Sequence, residues 1–205
     1  MSLFEDQYKT INKVSEGTFR NKGSKFIAYS YPFSDENKLK SILSDIKNMH
    51  PKARHHCYAY RLGMDRSVFR INDDNEPVGS AGRPILNTLL SNDLTNILTI
   101  VVRYFGGTLL GISGLINAYK MATQESINNA EIIERYQKDI YIINFDYLQM
   151  NNVMRVIKEE DLDIVSQTFD NKCKIEVAIR TSLVNRLTVN LSTLPELKLK
   201  YLKTI

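Results

Sequence analysis

The sequence predicts an α+β protein in two domains. Three observations carry this. Apolar residues switch repeatedly between the two-residue period of strands and the three-to-four-residue period of helices along the whole chain. A glycine-rich turn joins a nearly continuous apolar run, Ile97 to Phe105, to a helix. The last third of the chain reads β-α-β-β-α-β, the split βαβ or ferredoxin-like order. A length of 205 residues fits one large domain or two small ones. The boundary is expected between 133 and 134.

Elements follow in order. Tyr8 to Val14 reads as a first strand, Gly17 to Gly23 as a turn, and Lys25 to Phe33 as a second strand. Ser34 or Asp35 can cap a helix. Its apolar face is Leu39, Ile42, Leu43, Ile46 and Met49, and it ends before Pro51. From His55 to Leu62 the set His55, Cys57, Ala59 alternates with His56, Tyr58, Tyr60, which is strand spacing. Ser67 to Ile71 reads as its partner across a turn at Gly63 to Arg66. Asn72 to Gly82 is a loop, and Pro84 suits the first turn of a short helix over Ile85 to Leu90. Ile97 to Phe105 has the composition of a strand buried on both faces. Ser113 is a candidate N-cap for a helix over Leu115 to Asn129, and Ala130 to Tyr136 reads as a linker.

In the second domain Lys138 to Tyr147 is a strand with Tyr141, Ile143, Phe145 and Tyr147 on one face. Met150, Met154 and Ile157 mark a helix. Asp163 to Phe169 and Lys172 to Thr181 form a hairpin turning at Asp170 and Asn171. Leu183, Leu187, Leu191 and Leu194 mark another helix, and Leu197, Leu199 and Tyr201 a last strand.

Composition narrows the function classes. A formal charge of +4 permits an RNA or acidic partner without demanding one. The apolar runs are far short of a membrane span. The N-terminal residues carry no secretory pattern, so Cys57 and Cys173 read as free thiols of a cytoplasmic protein. Neither a cofactor nor a membrane is implied.

Functional groups concentrate in two stretches, NDDNEPVGSAGRP at Asn72 to Pro84 and RYFGGTLLGISG at Arg103 to Gly114. Gly106, Gly107, Gly111 and Gly114 before a helix could let backbone N–H groups cradle an anion, with Arg103 as a bidentate donor. Their GGxxxGxxG spacing is neither the dinucleotide nor the Walker pattern, so tight turning and close packing stand beside the anion reading. Asp73, Asp74 and Glu76 could hold a hard cation, pair with Arg70, Arg83 or Arg103, or cap the following helix. His55 and Cys57 share a strand face but make an incomplete metal set, and a core thiol is the alternative. Cys173 shares a face with Ile175, Val177 and Ile179 and reads as core. On the other face Lys172, Lys174 and Arg180, with Lys198 and Lys200 on the last strand, would form a basic sheet surface for RNA phosphates or a plain solvated face.

At these residues the chain resembles the IMPACT/YigZ family. DDNEPVGSAGRPIL and VVRYFGGTLLGISGLINAY stand close to the family forms DDGEPSGTAGRPIL and VTRYFGGxxLGxGGLxRAY. SKFIAY at Ser24 to Tyr29 and ARHHCYAYRLG at Ala53 to Gly63 support the match, which runs across most of residues 15 to 125. The resemblance implies an N-terminal βαβ domain similar to a small-subunit ribosomal protein and to domain IV of elongation factor G, and a ferredoxin-like second domain. It implies translation regulation, by protein contacts in eukaryotic relatives and by RNA or ribosome binding from fold analogy in bacterial ones. Asn75 stands for a usual glycine, Ser80 for a threonine, Ser113 for a glycine, Asn117 for an arginine and Lys120 for a serine. The leading expectation is a non-enzymatic regulator that binds RNA, the ribosome or a protein. Its site would comprise Asp73, Asp74, Glu76, Arg83, Arg103, Tyr104, Gly106, Gly107, Gly111 and Gly114, with no catalytic or metal residue. The competing expectation is an enzyme acting on a phosphorylated small molecule or nucleotide.

Overall fold

A computed structural model describes residues 6–65, 67–170, 173–192 and 197–205. The chain divides into two compact units. One comprises Tyr8–Arg135; the other takes in the described residues before Tyr8 and continues over Tyr136–Ile205.

The first unit is built on a five-stranded antiparallel sheet. Its strands are β2 (Ser15–Asn21), β3 (Ser24–Pro32), β4 (His55–Leu62), β5 (Val68–Asn72) and β6 (Ile97–Tyr104), in the order β2-β3-β6-β4-β5. β3 and β4 both run antiparallel to β6 and so run parallel to each other. Helix α1 (Leu39–Met49) connects them, which makes a βαβ unit with β6 inserted between its strands. Helices α2 (Gly82–Ser91) and α3 (Gly111–Asn128) pack on the face that carries Phe26, Ala28, Cys57, Ala59 and Val101. The opposite face, with Tyr58, Tyr60, Leu98, Ile100 and Val102, packs with Phe33, Leu39 and Ile46 around α1. Cover on both faces is the reason β6 is apolar at nearly every position.

Three expectations change in this unit. Gly17 to Gly23 is not a turn. β2 continues to Asn21, and the reversal is confined to Lys22 and Gly23, both at positive φ. Gly17 is a strand residue because the α3 backbone leaves no room: a Cβ there would stand 2.2 Å from Ser126 N. The linker after Ala130 is strand β7 (Ile132–Tyr136), paired with β1 (Gln7–Ile11). Its partner lies more than a hundred residues upstream, so local pattern did not reveal it. α3 begins at Gly111, with Leu110 as its N-cap residue, so Ser113 is an exposed residue of the first turn and not the cap.

The second unit has a four-stranded antiparallel sheet of β8 (Lys138–Phe145), β9 (Asp163–Phe169), β10 (Cys173–Arg180) and β11 (Lys198–Thr204). The order β11-β8-β10-β9 is the ferredoxin-like arrangement expected from the sequence. Helices α4 (Met150–Glu159) and α5 (Val184–Ser192) cover the face that carries Ile143, Phe145, Cys173, Ile175, Val177 and Ile179. Tyr147 does not join that face; β8 stops at Phe145 and Tyr147 is exposed in the turn that follows. Asn171, Lys172, Leu194 and Arg66 lie outside the described residues, as does the side chain of Leu191.

The buried Asp6 carboxylate ties this unit's early segment to β10. It accepts from Arg180 Nη2 at 3.0 Å and Arg180 Nε at 3.2 Å, and from the Ser182 hydroxyl at 2.5 Å. Burial works to raise its pKa, but the hydrogen bonds from Arg180 and Ser182 outweigh it and hold the group below the ordinary carboxylate value.

Two outcomes follow from this packing. Gly17→Ala forces the new methyl into the α3 backbone and should lower urea-unfolding stability by about 1–3 kcal/mol or more. A lowered folded pKa means that Asp6 contributes its stabilisation fully above the unfolded carboxylate pKa and loses it as pH falls through the folded value. Wild type and Asp6→Asn should therefore differ in melting temperature at neutral pH and converge in strong acid.

Candidate functional site

The loop before α2 is held by its own acidic residues. Asp74 and Asn75 both adopt positive φ, at 41° and 67°, a region that Asn tolerates better than most residues. That geometry explains a glycine-like position occupied by Asn75. The tight turn points the Asp73 carboxylate at the start of α2, where Oδ1 accepts from Ala81 N at 3.0 Å and Gly82 N at 2.8 Å. Oδ2 accepts from Gly79 N at 2.9 Å. Asp73 is thus a helix cap acting from outside the helix, and it satisfies amides that would otherwise lack partners. Because it caps, α2 starts at Gly82, a turn earlier than its apolar pattern indicates. Asp74 serves β4: Oδ2 accepts from His56 N at 2.7 Å, and its backbone carbonyl lies 2.8 Å from His55 Nδ1.

Glu76 is buried at 8% exposure and Arg103 at 5%. Arg103 Nη1 donates to Glu76 Oε1 at 2.6 Å, and the Tyr119 hydroxyl donates to the same oxygen at 2.9 Å. The Cys57 thiol lies 3.2 Å from Tyr119 Oη and 3.0 Å from Asp73 O. The guanidinium also stands over Phe26 and Phe105, 5.5 and 5.6 Å from the ring centroids. Burial pushes the Cys57 thiol and the Tyr119 hydroxyl well up from their ordinary values, and the nearby carboxylates push them the same way. Both therefore stay protonated at neutral pH, and Cys57 is a buried thiol rather than a poised nucleophile.

The sequence-based set does not form one site. Glu76 and Arg103 meet in the buried cluster, and Asp73 touches it through its carbonyl. Arg103 consequently offers no anchor to an external anion; its charge is already matched inside the protein. Tyr104 leaves β6 on the opposite face, where its hydroxyl is 2.8 Å from His50 Nδ1 and Tyr29 Oη is 2.9 Å from His50 Nε2. Gly106 packs on the β2–β3 turn, where a Cβ would lie 1.9 Å from Gly23 C, so at this position the packing reading holds. Gly107 and Gly111 face open space at φ of 86° and 70°. Gly114 would crowd Leu110 if it carried a Cβ. Arg83 alone among the candidate side chains is exposed and reaches a cleft, which it shares with Lys120. Among the described residues no group of three His, Cys, Asp or Glu side chains is placed to hold a metal ion, and no helix is long and apolar enough to cross a membrane.

Tyr119 was not singled out from the sequence, although Leu115 and Ala122 set a buried helical face on which it falls. His50 carried no such signal. Its role arises from two tyrosines 21 and 54 residues away.

The fold and this internally matched loop pair define a two-unit α+β protein whose polar signature residues hold its loops in place. The chain belongs to the IMPACT family: the model of the Impact N-terminal domain matches residues 22–127. The IMPACT family member of Haemophilus influenzae is 31% identical over 173 residues, covering 83% of this chain and 84% of that one. YvyE of Bacillus subtilis, also an IMPACT family member, is 29% identical over 96% of this chain and 94% of its own. A crystal structure of a hypothetical protein shares the fold with a TM-score of 0.75 and 24% identity, over 98% of this chain and 99% of that one.

Removing one partner of the buried pair strands the other charge. Glu76→Ala or Arg103→Ala should each cost about 3–5 kcal/mol in chemical denaturation. The double variant should lose clearly less than the sum, because neither charge is then left alone.

Proposed function

We propose that this protein is a non-enzymatic, translation-associated regulator of the cytoplasm that docks on a protein partner through its two motif loops. The observation that carries this reading is the exposed apolar rim of those loops. Val78 is 98% exposed, Leu109 84%, Ile112 60% and Phe105 43%, on segments whose acidic residues Asp73, Asp74 and Glu76 are hydrogen-bonded within the unit. Val78 adjoins Gly79 of the α2–α3 cleft, and Ile112 stands one helical turn before Ile116 of the same cleft. Large apolar side chains held out on ordered loops suit burial in a partner, with aromatic and aliphatic anchors at its centre. Translation comes to this chain from the family it belongs to.

The test is affinity capture and ribosome co-sedimentation from lysate. The wild-type chain should carry a stoichiometric protein partner with or without RNase. Val78→Asp with Leu109→Asp should weaken that capture about tenfold or more, since apolar burial is lost and charge is introduced. Capture unchanged by the double variant, or abolished by RNase, would overturn the protein-docking reading.

A second reading, RNA binding, draws on the second unit. Lys198, Lys200 and Lys203 are exposed on β11, and the first two share with Lys174 the sheet face opposite the helices. Two other cations there are already matched. Lys174 Nζ lies 2.8 Å from Glu176, and Arg180 is held by Asp6 with its guanidinium 3.6 Å from the Tyr136 ring centroid. If Lys198 and Lys200 contact phosphates, Lys198→Ala and Lys200→Ala should each reduce the slope of log affinity against log salt by about 1. An unchanged slope would count against phosphate contact by those lysines.

A further inference from the structure

Helices α2 and α3 lie beside one another over the same sheet face, and a cleft of about 390 Å³ opens between them. That volume falls among those of small-ligand sites. Its polar groups are distributed unevenly. Arg83 of α2 and Lys120 of α3 are both exposed along it, and among the described residues neither has a carboxylate partner. The cleft thus presents two positive charges that the fold itself does not match.

The hydroxyl groups in the cleft behave differently. The Thr88 hydroxyl donates to Pro84 O at 2.8 Å, and the Ser91 hydroxyl donates to Thr88 O at 3.0 Å. With both protons committed, the two oxygens offer only lone pairs to whatever enters. Asn87, one residue before Thr88, adds an amide to the lining. Pro84 and Ile116 supply apolar surface.

A matching ligand combines three properties. It carries a compact dianionic group for the two cations, hydroxyl or amino hydrogens for the committed oxygens, and an apolar face for Pro84 and Ile116. A phosphate monoester carries about −1.5 to −2 charge near neutral pH and three acceptor oxygens, which suits an arginine and a lysine together. A carboxylate would leave one cation unmatched. Sugar hydroxyls and the exocyclic groups of a base supply the required donors. We propose that the α2–α3 cleft binds a phosphate monoester of a sugar or nucleoside. The same chemistry occurs in a free nucleotide and at the phosphorylated 5′ end of an RNA. The assignment stands on the cleft alone and does not depend on what docks at the apolar rim.

The experiment is an amide-resolved NMR titration of the full chain with adenosine 5′-monophosphate, ribose 5-phosphate and unphosphorylated adenosine. At least one of the two phosphates should give saturable shifts at Gly79, Asn87 and Thr88, with adenosine far weaker. Arg83→Ala and Lys120→Ala should each weaken binding about tenfold or more, as loss of a charge-assisted contact requires. Both residues are exposed, and a thermal melt of each variant will confirm that the fold is kept. A parallel titration compares 5′-phosphorylated and 5′-hydroxyl oligoribonucleotides. Phosphate-dependent binding of the oligomer, tighter than that of the mononucleotide, would identify the ligand as an RNA end; the reverse order would identify it as a free nucleotide. The proposal is overturned if neither phosphate nor the phosphorylated oligomer binds saturably at the cleft. It is equally overturned if adenosine binds as well as its phosphate, or if both variants bind like wild type.

Discussion

The pairing of Glu76 with Arg103 sets the position of nearly everything else in the first unit. The carboxylate sits on the loop before α2, the guanidinium on β6 and the Tyr119 hydroxyl on α3. One oxygen therefore joins a loop, the central strand and a helix. Two charges buried this deeply cost solvation energy, and their attraction offsets that cost only in good geometry with further hydrogen bonds. Here the geometry is short and the added donor is present. The pair's main consequence is positional: the loop has one low-energy place on the sheet, and Asp73 then has one helix start to cap.

This internal use of charge divides the signature residues into two groups. Glu76, Asp73, Asp74 and Arg103 find charge or hydrogen-bond partners within the unit. Arg83 and Lys120, with the apolar side chains Val78, Leu109 and Ile112, face outward. A surface of that composition differs from a phosphate loop, in which backbone amides and an arginine would converge on one anion. The amides that an anion could have used at the start of α2 are already taken by a carboxylate of the same chain. The groups left unmatched by the fold are side chains on the outer faces of the two helices and on the loop tips.

Much of the architecture was legible in the sequence. The alternation His55, Cys57, Ala59 against His56, Tyr58, Tyr60 specified a strand with two side-chain sets, and each set lies on a different sheet face. The β-α-β-β-α-β order of the second unit gave its strand arrangement, because right-handed crossovers leave few ways to place those strands. Cys173 was readable as core from its strand neighbours. Other features were not readable. Gly17 looked like turn punctuation, but it is glycine because a helix backbone 109 residues later passes against it. The strand Ile132–Tyr136 looked like a linker because its partner is far upstream.

The site divides along the same line. The sequence by itself determined which residue types gather in the two loops, which faces are apolar, and that a family signature is present. Those properties depend on local spacing and on side-chain chemistry. Only the tertiary structure decided that Arg103 is matched by Glu76 while Arg83 and Lys120 are left to solvent. Arginines 20 residues apart look alike in a sequence. Their availability depends on what the fold brings within 3 Å of each guanidinium, and for Arg103 that is a carboxylate 27 residues away.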